Sequence, residues 1–207
     1  MSYFKERIWK IEPASAFGII RNCPKCGKKV LYGSTGNFRV NANGKCVDVW
    51  LIYQCEVCKS TYNLSILERV NPRMLDSETY RQFMENDKEL AVKYGTDRAL
   101  FEKNKAVIDE NSISFSVHEE IVDNVSSEDI GFKEIIHVQN PHCMKIRLDR
   151  FLALQLGVSR SKVRQLLRDE IIVCGNLVKP EKQVLMNDFT LLLNTPLADI
   201  RLVSCHS

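Results

Sequence analysis

Cys23-Pro24-Lys25-Cys26-Gly27 and, after 28 intervening residues from Cys26, Cys55-Glu56-Val57-Cys58 decide the reading of the N-terminal third of the chain. Two tight Cys-x-x-Cys turns each present a pair of thiolates, and a tetrahedral metal ion needs four soft donors at about 2.3 Å. Gly27 suits the first turn, because the backbone after the second cysteine of such a knuckle often needs a positive φ. Zn²⁺ held by Cys23, Cys26, Cys55 and Cys58 is the expected arrangement, and four thiolates leave it no open position for water or substrate. The expected metal is therefore structural. Of the remaining cysteines, Cys46, Cys143, Cys174 and Cys205, Cys46 reads as a small core residue.

The residues between the knuckles point to a small β unit. Phe38, Val40 and Asn41 lead to Asn43-Gly44, a strong hairpin signal. Beyond it Val47, Val49, Leu51 and Tyr53 alternate with Asp48, Trp50, Ile52 and Gln54, and the run Tyr62 to Leu67 can return as a third strand. Two knuckles on a three-stranded antiparallel sheet resemble a zinc ribbon. Three other readings of the cysteines stay open. The first knuckle also resembles that of rubredoxin, which would bring iron, although Cys58 is followed by Lys59 rather than Gly. A thioredoxin-like redox pair would need a βαβ setting that is absent here, and unligated buried thiols are the third possibility.

The whole chain has 207 residues, 44% of them hydrophobic, and a net charge of +3. That composition excludes collagen-like, mucin-like and wholly disordered chains. Residues 1–21 carry charges at Lys5, Glu6, Arg7, Lys10 and Glu12 and no apolar run of signal-peptide or membrane-span length, so the expected location is the cytoplasm with no membrane partner. The small net charge conceals a division. Residues 1–65 carry 10 basic and 4 acidic side chains, residues 66–143 carry 9 and 16, and residues 144–207 carry 10 and 6. Two basic ends suit a polyanionic partner. A bound Zn²⁺ with four thiolates would lower the first of them by two charges, so Lys25, Lys28, Lys29 and Lys59 chiefly balance the metal centre.

The acidic middle reads as a helical and mixed connector that packs the two ends. Asp76-Ser77 can cap a helix over Glu78 to Asp87, Leu90, Ala91 and Val92 form a second apolar stretch, and Thr96 can cap a third helix containing Leu100 and Phe101. Alternation at Ile113, Phe115 and Val117 predicts a half-exposed strand, and Ile135, Ile136 and Val138 suggest another. The segment offers no phosphate-binding glycine loop, no paired carboxylates in an apolar setting and no nucleophile with a base. His118, His137 and His142 are isolated and read as solvated or satisfied imidazoles.

From Lys145 to Arg168 the pattern is specific. Leu148, Phe151, Leu152 and Leu156 line one face of a helix that Gly157 ends; Ser159 caps the next, with Val163, Leu166 and Leu167 on its apolar face. Arg160, Arg164 and Arg168 follow at i, i+4 and i+8, a cationic stripe beside that apolar face. Ile171 to Lys179, turning at Gly175-Asn176, reads as a hairpin, and Phe189 to Leu193 as a final strand. Residues 145 to 195 resemble the ribosomal protein S-four type RNA-binding domain through Arg147-Leu148-Asp149-Arg150, through Ser159 to Arg164, and through Gly175 with Asp188. The chain departs from that pattern with Glu170 and Asn187 where the family has Gly, and with Cys174 where it has Asn. Taken whole, the chain also resembles a bacterial family of domain-of-unknown-function proteins.

The expected architecture is α+β in three parts: a zinc-ribbon-like domain over 1–72, an acidic connector over 73–142, and an S-four-like ααβββ module over 143–207. The resemblance implies a non-catalytic protein bound to structured RNA such as rRNA, tRNA or the ribosome. Its phosphate contacts would come from Arg147, Arg150, Arg160, Lys162, Arg164 and Arg168, with Lys179 and Lys182 as weaker candidates. One alternative is a regulator that binds DNA or a polymerase through the zinc ribbon. Another is an RNA-modifying enzyme, for which the residues left over are too few to form a catalytic domain. The oligomeric state stays open.

Overall fold

The computed structural model describes residues 5–122, 133–175, 180–185 and 187–202. In chain order these form strands β1 (Lys5–Pro13), β2 (Ile19–Cys23), β3 (Lys28–Asn43), β4 (Cys46–Cys55) and β5 (Thr61–Val70), then helices α1 (Ser77–Glu85), α2 (Lys88–Gly95) and α3 (Arg98–Lys103). Strands β6 (Val107–Ile108), β7 (Phe115–Val122), β8 (Glu134–Gln139) and β9 (Ile146–Arg147) precede helices α4 (Leu148–Leu156) and α5 (Arg160–Arg168). Strands β10 (Ile172–Cys174), β11 (Val184–Leu185) and β12 (Phe189–Leu193) and helix α6 (Leu197–Leu202) complete the order. The fold is mixed α+β. The chain forms two compact units: one is Pro13–Phe115, and the other joins the described residues up to Glu12 to those from Ser116 onward.

In the Pro13–Phe115 unit five antiparallel strands take the order β5-β4-β3-β2-β6. Strand β4 alternates half-buried and buried residues along its whole length, with Val47, Val49, Leu51, Tyr53 and Cys55 inward, as its period-2 pattern predicts. The hairpin pairs Asn43 with Cys46, so the turn residues are Gly44 and Lys45, one position later than the Asn43-Gly44 expectation. Gly44 holds φ +59 at the first turn position, as a glycine-first two-residue hairpin requires. Cys46, opposite Asn43, is half-buried rather than a core residue.

The helices expected as a connector belong to this unit. Asp76 caps α1 by accepting from Thr79 N at 2.9 Å, and Asp87 caps α2 from Leu90 N at 2.7 Å. Asp97, not Thr96, caps α3, accepting from Ala99 N at 3.0 Å; Thr96 instead ends α2, its hydroxyl donating to Val92 O at 2.9 Å. Phe83 meets Phe38 of β3 edge-on at 4.9 Å and stacks on Tyr94, and Phe101 reaches Phe17 and Tyr53. A ribbon of three strands with two knuckles would have little apolar core of its own. Two further strands and three helices supply one, which is why the boundary falls at 115 rather than 72.

In the other unit the sheet order is β10-β12-β8-β1-β7, with β9 and β11 paired separately. The N-terminal strand β1 lies parallel to β8, Lys5 opposite Glu134 through Lys10 opposite Gln139, and β12 runs antiparallel to β8 on its other side. Trp9 of β1 is fully buried and meets Phe151 of α4 edge-on at 5.9 Å; Phe151 in turn meets Phe189 of β12 at 6.1 Å. His137 is satisfied, its Nε2 2.7 Å from Glu6 Oε1. Helices α4 and α5 follow the sequence reading closely. Gly157 ends α4 at φ +67, Ser159 caps α5 by accepting from Lys162 N at 3.2 Å, and Leu148, Phe151, Leu152, Leu156, Val163, Leu166 and Leu167 are buried. The expected hairpin partner of β10, Leu177 to Lys179, lies outside the described residues; β10 pairs with β12.

At the end of α5, Asp169 N donates to Gln165 O and Ile171 N reaches back to Leu166 O at 2.9 Å. This is the reach-back of a Schellman turn, which places one left-handed residue after the C-cap, usually Gly. Glu170 occupies that place at φ +53.

Candidate functional site

The first candidate is the cysteine cluster. Strand β2 ends at Cys23 and β4 at Cys55, on the two sides of β3 and opposite Lys28 and Tyr32 near its start, so the leading cysteine of each knuckle comes to the same end of the sheet. The turns are alike: Gly27 N donates to Cys23 O at 2.9 Å and Lys59 N to Cys55 O at 3.0 Å. Gly27 and Lys59 hold φ of +69 and +61, so the second knuckle forms without the glycine whose absence weighed against a rubredoxin-like pair. Cys23 Sγ lies 3.5 Å from Cys58 Sγ and Cys26 Sγ 3.9 Å from Cys55 Sγ, and all four sulfurs lie within 4.8 Å of one another. A regular tetrahedron with arms of about 2.3 Å has corners about 3.8 Å apart, so the four fit around one metal ion.

Two residues that sequence reasoning missed complete this cluster. Ser60 Oγ lies 3.2 Å from Cys23 Sγ and 3.1 Å from Cys58 Sγ, and Tyr32 OH lies 3.4 Å from Ser60 Oγ. Hydrogen bonding by Ser60 and then Tyr32 pulls the Cys23 thiol down to about 5, and Ser60 also lowers Cys58. Cys26 is pushed the other way, first by its contact with Cys58 and then by desolvation. A cation among the crowded sulfurs would let all four ionise together, and the four could hold one. Nearby, the Arg21 guanidinium lies 3.5 Å from the Tyr62 ring centre and 5.7 Å from that of Tyr32.

The second candidate is cationic and lies at α4 and α5. Asp149, in the first turn of α4, is completely buried, with 0% of its side chain exposed. Three arginines converge on its carboxylate. Arg160 donates from Nη2 at 2.7 Å and Nε at 3.1 Å, Arg147 from Nε at 3.2 Å and Nη2 at 3.3 Å, and Arg164 from Nη2 at 3.4 Å. The arginine side chains stay about half exposed, at 51% for Arg147, 45% for Arg160 and 46% for Arg164. Burial pushes Asp149 up, but hydrogen bonds from Arg160 and Arg147 outweigh it and hold the carboxyl below its ordinary value. One buried negative charge thus fixes three guanidiniums and leaves two positive charges in excess.

The other proposed phosphate contacts are not drawn into this cluster. Arg150 and Arg168 are exposed, and Lys162 reaches Gln165 Oε1 at 3.4 Å along its own helix. Lys182 is exposed on the short turn Pro180–Lys182, which packs against α4 and α5. Lys179 lies outside the described residues. The sequence did carry a signal for Asp149: it stands three residues before Leu152 and seven before Leu156, on the apolar face of α4, where an acid needs a buried partner. Among the described residues no helix is long and apolar enough to cross a membrane.

No curated protein and no solved structure matches this chain. A family described as "Protein of unknown function (DUF1062)" does, over residues 40–177. That span holds Cys55, Cys58, Asp149 and the arginines of α5, and begins after Cys23 and Cys26. With two thirds of its length matched, the chain belongs to this family of unknown function, DUF1062.

Proposed function

We propose that the protein binds structured RNA by its phosphate backbone, without catalysis, and that a structural Zn²⁺ holds the four-cysteine knuckles. The observation that carries the RNA reading is the convergence of Arg147, Arg160 and Arg164 on the buried Asp149. Three guanidiniums, one from the end of β9 and two from α5, would otherwise repel and scatter. Held by one carboxylate, they keep outward N–H donors in a fixed arrangement suited to phosphate oxygens. Backbone-directed binding of this kind reads helical RNA by shape. The order of α4, α5, β10 and β12, with a left-handed residue after α5, supports an S-four-like module. Arg150, Lys162, Arg168 and Lys182 would extend the contact, and rRNA, tRNA or the ribosome are the partners of this class.

For the metal, the all-thiolate set favours Zn²⁺, which is content with four sulfurs and needs no further ligand. In that role Cys23, Cys26, Cys55 and Cys58 tie the ends of β2 and β4 together, and the site does no chemistry. The test of the RNA reading is equilibrium binding of the metal-loaded chain to RNA hairpins and, in parallel, to DNA duplexes at low salt. Tighter binding to RNA that Arg160→Ala and Arg164→Ala weaken supports it. Equal binding to DNA, untouched by those variants, would favour a regulator acting through the ribbon unit.

A further inference from the structure

The Pro13–Phe115 unit carries a cleft of about 420 Å³, open to solvent, between β3, α2 and the second knuckle. Its floor is the stretch Gly33-Ser34-Thr35-Gly36, where the β3–β4 register shifts. The floor is tied down from within. Gly36 N donates to Ser34 Oγ at 3.2 Å, Asn37 N to Thr35 Oγ1 at 3.2 Å, and Thr35 Oγ1 to Ile52 O at 3.0 Å. Gly36 holds φ +67, so the shape depends on glycine.

Two opposite charges stand over the two glycines. A Cβ on Gly33 would lie 3.7 Å from Glu56 Oε1, and one on Gly36 would lie 3.3 Å from Lys88 Nζ. Lys88 Nζ donates only to neutral acceptors, Gly36 O at 3.2 Å and Asn37 Oδ1 at 3.1 Å. Among the described residues neither Lys88 nor Glu56 has an ion pair, and the two do not pair with each other. The cleft is therefore neutral overall but strongly dipolar.

We propose that this cleft binds a short zwitterionic amino acid, with its carboxylate on Lys88 and its ammonium on Glu56. A zwitterion offers a partner to each of these two exposed charges, whereas a phosphate or polyanion would meet the Glu56 carboxylate. Glycine, β-alanine and γ-aminobutyrate set their two charges progressively farther apart, so a series of them reads out the spacing between Lys88 and Glu56. The proposal does not depend on the RNA reading, whose residues lie in the other unit.

The experiment is an amide NMR titration of the metal-loaded full chain with glycine, β-alanine and γ-aminobutyrate. Propionate and propylamine serve as single-charge controls at matched ionic strength. The expected result is saturable shifts at Gly33 to Gly36 with at least one amino acid, and at least about tenfold weaker binding, 1.4 kcal/mol, for both controls. Lys88→Met, a substitution outside the knuckle, should weaken amino-acid binding by the same factor with no change in metal content or thermal midpoint. Glu56→Gln should do so too. The proposal is overturned if no amino acid gives saturable shifts, if propionate binds as tightly as the amino acid, or if Lys88→Met leaves the affinity unchanged.

Discussion

Arg160 and Asp149, eleven positions apart, form the shortest contact in a cluster where one wholly buried carboxylate gathers three half-exposed guanidiniums, at 2.7 Å for this pair. Asp149 thus links the packing of α4 to the placement of charge on α5. Asp149→Asn adds a net positive charge to the protein, so net charge alone would tighten RNA binding. The opposite is expected. Without the carboxylate the guanidiniums separate, RNA affinity falls, and folding stability drops by about 1–3 kcal/mol. Urea unfolding and RNA titration of the same variant check both.

The acid limb of stability should carry the same signature. Folding lowers the pKa of Asp149, so its contribution is complete above the unfolded carboxylate value of about 3.9 and is lost as pH falls below it. Denaturation midpoints measured from pH 2 to 6 should show a shallower acid decline in Asp149→Asn than in the wild type.

Glu170 occupies the left-handed place of the turn after α5 at φ +53. Glu170→Gly should stabilise the protein by about 1 kcal/mol by relieving the Cβ crowding of that conformation. It also removes an acid from the end of the basic helix, so RNA binding should strengthen. Thermal melts and binding isotherms test the two effects separately.

Gly95 ends α2 where the chain passes closest to Ala16: a Cβ there would stand 2.3 Å from Ala16 Cβ and 3.1 Å from its Cα. Gly95 O also accepts from Phe17 N at 2.7 Å, which limits any backbone retreat. Gly95→Ala is expected to cost about 1–3 kcal/mol, measured by chemical denaturation.

Chelation or Cys55→Ser should release one equivalent of metal by elemental analysis. The loss of order should centre on the knuckles and the adjoining ends of β2 and β4. The aromatic cluster of Phe38, Phe83 and Tyr94 has its own packing, so its amides should stay protected from hydrogen exchange.

What was legible in the sequence was local. Cys-x-x-Cys spacing, the alternation of Val47 to Tyr53, and the capping signals at Asp76, Gly157 and Ser159 each sit within a few residues, and each appears in the structure where expected. What the local pattern does not carry is long-range. Nothing near Trp9 announces that β1 pairs with β8, more than a hundred residues later, and this pairing moves the N-terminus out of the cysteine-bearing unit. The Asp149 cluster is an intermediate case: its acid stands on an apolar helical face, but its partners Arg160 and Arg164 lie on the next helix, where their i, i+4 spacing shows a cationic stripe and not the carboxylate it meets.

The central claim is that the arginines gathered by Asp149 hold RNA phosphates, and the salt dependence of RNA binding tests it most directly. With about five phosphates neutralised, log affinity should fall against log salt with a slope of about −4, and Arg160→Ala and Arg164→Ala should each reduce that slope by about 1. No affinity for structured RNA at low salt, or a slope near zero that these substitutions leave unchanged, would contradict the account.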